Sequence, residues 1–252
     1  MRNRIILGIL APLLFLSFAV KKDTIELVLK PKINEKLQYK IKRTTVGNKH
    51  YPKFGFKWYS EYKVEFILKS LDKDNNLNYD FRQLYFVKRD SSYNKGIEKF
   101  DTRKILSDEM SHFKPIRNEI KNNYQISLKN NGEIAKNWTL KNGLKPNSGV
   151  FYIDNFQMVF PEKEKIIGEK WEYESKGVFT KYHKSKSIFY IKEVDDKEIC
   201  IGFKSYLITN DLMNNTEAYG EYILEKSTCN LIYAKIESEI NGNTETLEIE
   251  KM

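Results

Sequence analysis

Trp58-Tyr59-Ser60-Glu61-Tyr62-Lys63-Val64-Glu65-Phe66-Ile67-Leu68-Lys69, then Asp72-Lys73-Asp74-Asn75-Asn76, then the run from Leu77 to Lys88, is the stretch that decides the fold. Trp58, Ser60, Tyr62, Val64, Phe66 and Leu68 alternate with Tyr59, Glu61, Lys63, Glu65, Ile67 and Lys69. A period of two with one apolar and one charged face is a half-buried strand. The polar run is a turn, and the return strand places Tyr79, Phe81, Tyr85 and Val87 on one face. The unit is a long antiparallel hairpin. Asp72 to Asn76 lacks the turn glycine and distal glutamate of an EF-hand loop, which disfavours calcium.

Working outward, the rest of the chain continues the pattern. Strands are expected near 170–182, 186–194, 198–209, 217–226, 230–240 and 243–251. Polar punctuation separates them, as at Asp195-Asp196-Lys197 and Asn241-Gly242-Asn243. Aromatic and β-branched residues fill them, as a pleated surface prefers. One segment departs. Ile105, Leu106, Met110, Phe113, Ile116 and Ile120 recur at helical spacing between Thr102 and Asn122, with Asp101 or Thr102 as cap and Pro115 inside. An amphipathic helix beside so much sheet is expected to bury its stripe on the sheet's apolar face.

A faint internal repeat relates Lys32-Ile33-Asn34-Glu35-Lys36-Leu37-Gln38-Tyr39-Lys40 to Lys165-Ile166-Ile167-Gly168-Glu169-Lys170-Trp171-Glu172-Tyr173-Glu174. Each half also ends in a strand–turn–strand unit, 125–138 and 222–238. The alternatives are two related halves, 24–139 and 157–251 joined by 140–156, or chance similarity of Lys/Glu-rich strands.

At the N-terminus, Arg2 and Arg4 precede an apolar run from Ile5 to Phe18, and Ser17-Phe18-Ala19 offers small residues for cleavage. This is the pattern of a signal peptide over 1–19, too short to span a bilayer comfortably. The expected address is the periplasm or the outside, the alternative being retention as an inner-membrane anchor. Residues 20–252 are expected to form a single β-rich domain. The formal charge of +9 falls to +7 without Arg2 and Arg4. The excess is diffuse lysine interleaved with glutamate, which argues for a solvated surface and against a nucleic-acid groove.

No constellation carries catalysis. His50, His112 and His183 lie apart, with no metal-ligand spacing. There is no Gly-x-Ser-x-Gly elbow, no Cys-x-x-Cys and no phosphate loop, so neither a cofactor nor a metal is expected. Cys200 starts one strand and Cys229 sits in the turn two strands later, at the same end of the sheet. A disulfide between them and two separate thiols are both open readings. Sixteen Tyr, fifteen Phe and three Trp are a heavy load for a chain of this length. Most are expected in the strand core and in cross-strand pairs, and part of the concave face is a candidate surface for an apolar ligand.

The segment Pro161-Glu162-Lys163-Glu164-Lys165-Ile166-Ile167-Gly168-Glu169-Lys170-Trp171 resembles the "Pro…Val-x-x-Gly-Asp-x-Trp" turn of an uncharacterised family of secreted bacterial β-rich proteins, a domain of unknown function. Phe100-Asp101, the Asn-Gly hairpin at 124–138 and the late hairpin at 222–238 add to the likeness, with Glu169 in place of the usual Asp. The resemblance implies an envelope protein and carries over no functional residue. The plan is also similar to the periplasmic lipoprotein-carrier half-barrels, an analogy of fold alone.

The expectation is a mainly β protein: a large curved antiparallel sheet, open or half-barrel-like, with one amphipathic helix packed on it. Two stacked sheets are the alternative. Its function is expected to be non-enzymatic binding of a lipid or an acylated protein on the concave face, through Tyr62, Phe66, Phe81, Phe113 and Ile116. An interaction or assembly module contacting another envelope protein is the second reading, and an unrecognised hydrolase the third.

Overall fold

The alternating stretch does form a hairpin, and ten further strands join it. The computed structural model describes residues 23–47, 55–92, 96–104, 117–118, 120, 122–140, 158–176, 183–209, 216–240 and 242–252. The expected signal segment lies outside these residues. So do Phe113, Ile116 and most of the expected helix, of which only Arg117 and Asn118 are described as helical. The strands are β1 (Lys36–Gly47), β2 (Phe56–Leu71), β3 (Leu77–Ser92), β4 (Gly96–Asp101), β5 (Tyr124–Leu128), β6 (Ile134–Leu140), β7 (Lys170–Lys176), β8 (His183–Val194), β9 (Glu198–Thr209), β10 (Thr216–Glu225), β11 (Leu231–Ile240) and β12 (Asn243–Lys251). They form one antiparallel sheet in the order β6-β5-β3-β2-β1-β12-β11-β10-β9-β8-β7, with β4 pairing beside β5 on the free edge of β3.

The sheet is not closed, because β6 and β7 remain unpaired with each other, yet it curves. Residues from β5 and from β10 line one cavity. These strands are six steps apart in the sheet, which would separate them by about 29 Å if it were flat. Tyr173 on β7 lies close enough to feel the Glu133 carboxylate at the start of β6. The two edges therefore approach each other around the segment 158–165, whose Phe160 N–H donates to Asn131 O at 2.8 Å. One continuous core, from Leu27 through Ile249, fills the concave side.

Asp72 closes the β2–β3 turn: its carboxylate accepts the backbone N–H groups of Asp74 (2.8 Å) and Asn76 (2.9 Å). One sequence expectation fails beyond it. The register slips at Leu84, so Gln83 faces Val64 while Tyr85 faces Lys63. This bulge turns Phe86 inward beside Tyr62, with ring centroids 6.4 Å apart. Tyr85 and Val87, expected to share a face with Tyr79 and Phe81, turn to the outer side instead.

The two segments of the faint repeat adopt the same turn. Glu35 N–H donates to Lys32 O at 3.0 Å and Glu169 N–H to Ile166 O at 3.1 Å. Asn34 and Gly168 hold the left-handed position, with φ of 65° and 84°. Each donates at 2.8 Å to the neighbouring strand, Asn34 to Leu68 O and Gly168 to Ile191 O. Each glutamate carboxylate reaches back to the first N–H of its turn, at 3.0 Å from Lys32 and 3.3 Å from Ile166. The registers agree as well: Leu37 faces Phe66 and Phe66 faces Phe81, as Trp171 faces Phe189 and Phe189 faces Phe203.

Candidate functional site: an apolar cavity inside the curved sheet

The concave side is not filled throughout. A cavity of about 200 Å³ opens among side chains from β1, β2, β3, β5, β6, β11 and β12, with Tyr222 of β10. Its walls follow from strand alternation, since the inward residues of β1 (Leu37, Tyr39, Ile41) and β2 (Tyr62, Val64, Phe66) come from every second position.

Two segments cover one end. Ile25 and Lys165 exchange backbone hydrogen bonds at 2.8 and 3.0 Å. Leu29 N–H donates to Asn130 O in the β5–β6 turn at 2.8 Å, and Lys30 N–H to Thr228 O in the β10–β11 turn at 2.9 Å. The first segment thus straps the two hairpin turns together. The second, 158–165, is held by Phe160 and by Trp171 Nε1, which donates to Val159 O at 2.8 Å. Leu29, Met158 and Phe160 of these segments face the cavity.

Of the residues expected to bind ligand, Tyr62 and Phe66 line the cavity. Phe81 sits behind them in the wall, with its ring centroid 4.9 Å from Phe66 and 6.2 Å from Tyr124. The cysteines are free thiols, not joined by a disulfide. Both stand near one end of the sheet as expected, but on opposite faces. Ile199 and Ile201 point inward, which puts Cys200 outside near Lys192 and Glu221, whereas Cys229 lines the cavity.

Sequence reading missed several lining residues. Leu247 and Ile249 show clear alternation in β12 and could have been found. Leu29, Met158 and Phe160 lie in segments with no period, and Asn230 looked like ordinary turn punctuation.

Among the described residues the lining contains no Asp, Glu, Lys, Arg or His. Burial pushes the hydroxyls of Tyr39, Tyr79 and Tyr222 well above their ordinary range. Burial also raises the Cys229 thiol, although the Val28 backbone N–H works the other way. All four therefore stay protonated at neutral pH. Such a lining can enclose an uncharged apolar group and offers no side chain poised for proton transfer at neutral pH.

The outer face is polar. The Glu61 carboxylate accepts from Tyr59 Oη (2.7 Å) and Tyr85 Oη (2.9 Å) and pairs with Lys40 at 3.3 Å. Burial, together with this carboxylate, pushes both tyrosines up to about 12. Cross-strand pairs such as Lys186–Glu172, Lys192–Glu221 and Lys204–Glu217 cover the second half. Among the described residues no group of three His, Cys, Asp or Glu side chains could hold a metal ion. No family model matches the chain, and a search of curated proteins finds no match.

Proposed function

We propose that this protein is a non-enzymatic, exported envelope protein that holds an apolar, lipid-like group, such as the acyl chain of a lipid or an acylated protein, inside its curved sheet. The observation that carries the reading is the 200 Å³ cavity with an almost wholly aliphatic and aromatic lining. A well-packed core leaves few voids larger than a water molecule, and an apolar void of about 150 Å³ already binds benzene. Export rests on Arg2, Arg4 and the apolar run from Ile5 to Phe18.

The cavity is smaller than the roughly 300–1,000 Å³ usual for ligand pockets. It accommodates a short stretch of chain, and a longer one requires the cover carrying Leu29, Met158 and Phe160 to move aside. Native mass spectrometry of the purified chain, followed by organic extraction, tests the reading. The expected result is an aliphatic adduct that extraction removes. A bare mass, together with failure to take up added short-chain hydrocarbon, overturns it.

A further inference from the structure

We infer that the cavity is built for an acyl group in neutral linkage, an ester or amide, whose carbonyl oxygen accepts a hydrogen bond from the Asn230 side-chain amide. The inference rests on the proposed binding reading and specifies its ligand.

Asn230 is 2% exposed and lines the cavity. Its Nδ2 is among the buried side-chain atoms without a hydrogen-bond partner, and among the described residues no other member of that group, such as Gln83 or Ser238, lines the cavity. The backbone of Asn230 is already employed: its N–H donates to Thr228 Oγ1 at 3.1 Å and its carbonyl accepts from Glu225 N–H at 2.9 Å. The turn is thus closed without the side-chain amide donor. A buried donor left unmet is costly, and native proteins seldom tolerate one. Beside an apolar cavity, the group that would satisfy it is an acceptor carried on an apolar ligand.

The charge of that acceptor follows from the same lining. Among the described residues an ionised carboxylate would meet only neutral donors, the Asn230 amide and the protonated tyrosine hydroxyls, with no cation in the lining. Burying an unpaired charge costs far more than such hydrogen bonds return. A neutral carbonyl has no such cost. The cavity therefore favours an acyl ester or amide over a free fatty-acid anion.

Three probes test this on the whole chain: methyl hexyl ketone, its hydrocarbon counterpart nonane, and octanoate at neutral pH. Each is titrated against the methyl NMR signals of Ile126, Leu231 and Ile249. In the native protein the ketone is expected to bind about five- to tenfold tighter than nonane, and octanoate more weakly than the ketone. Asn230→Leu is expected to abolish the ketone's advantage while nonane binds at least as well. Equal affinities for ketone and nonane in the native chain, the result if a buried water satisfies Nδ2, overturn the inference and leave the cavity reading standing. An advantage retained in Asn230→Leu, or octanoate binding as tightly as the ketone, also overturns it. If neither ketone nor nonane moves the methyl signals, both readings fall together.

Discussion

Phe81 and Phe66 face each other across β2 and β3, yet they have different tasks. Phe81 is 1% exposed and packs between Phe66 and Tyr124. Phe81→Ala is expected to cost about 3–5 kcal/mol, as deletion of a fully packed ring does, when measured by urea unfolding. Phe66 lines the cavity, so Phe66→Ala should cost less and enlarge the binding space. Glu65 makes a second residue-scale case on the outer face. Burial pushes its carboxyl up, but hydrogen bonds from Gln38 Nε2 and Arg82 Nε, each 2.7 Å, outweigh burial and hold it below its ordinary value of 4.5. A depressed folded-state pKa stabilises fully above the unfolded-state value and loses that stabilisation as pH falls through the folded one. Urea midpoints should therefore drop below about pH 4.5, and Glu65→Gln should flatten that acid limb. An unchanged limb would mean that the Arg82 and Gln38 contacts contribute nothing net.

Two glycines separate strain from collision at the scale of the element. Gly168 has φ of 84° in the turn before β7, and a Cβ there would meet nothing within 4 Å. Gly168→Ala is expected to cost only the left-handed penalty, about 1–2 kcal/mol. Gly220 lies inside β10, where a Cβ would come within 2.1 Å of Lys235 O and 2.9 Å of Ile236 Cα. These are backbone atoms of the adjoining strand and cannot swing away. Gly220→Ala should therefore cost more than Gly168→Ala and should speed amide exchange along β10 and β11. Equal melting temperatures for the two variants would contradict the tight β10–β11 approach.

The first and last of the described strands meet in the middle of the sheet. β12, the last strand, pairs with β1 over eight residue positions and with β11 on its other side. Arg43 on β1 and Glu245 on β12 form an ion pair across this seam, with Glu245 only 6% exposed. A chain ending at Gly242 would leave both β1 and β11 as unpaired edges and empty the places of Leu247 and Ile249. It is expected to lose cooperative unfolding and to aggregate through those edges, which circular dichroism melts and light scattering would show. A sharp, reversible melt would instead mean that the strands before and after the seam fold independently.

Strand identity was legible because it is a local property. β9 was expected over 198–209 and spans Glu198–Thr209, and β12 was expected over 243–251 and spans Asn243–Lys251. Period-two alternation and polar punctuation are written into neighbouring residues and need no partner to be read. The candidate site was legible only in part. Tyr62 and Phe66 could be named because they stand on the apolar face of a strand, and the Asp72 turn because its residues close on themselves. Nothing local told β1 that it would lie beside β12, since alternation does not name a partner strand. Nor could it show the slip at Leu84 that turned Tyr85 and Val87 outward, because a bulge is set by register with the neighbour. The cover through Leu29 and Phe160, the opposite faces of Cys200 and Cys229, and the unmet amide of Asn230 share that origin. Each depends on where remote segments meet when a twelve-stranded sheet bends round to bury its apolar side, and only the tertiary structure decides that.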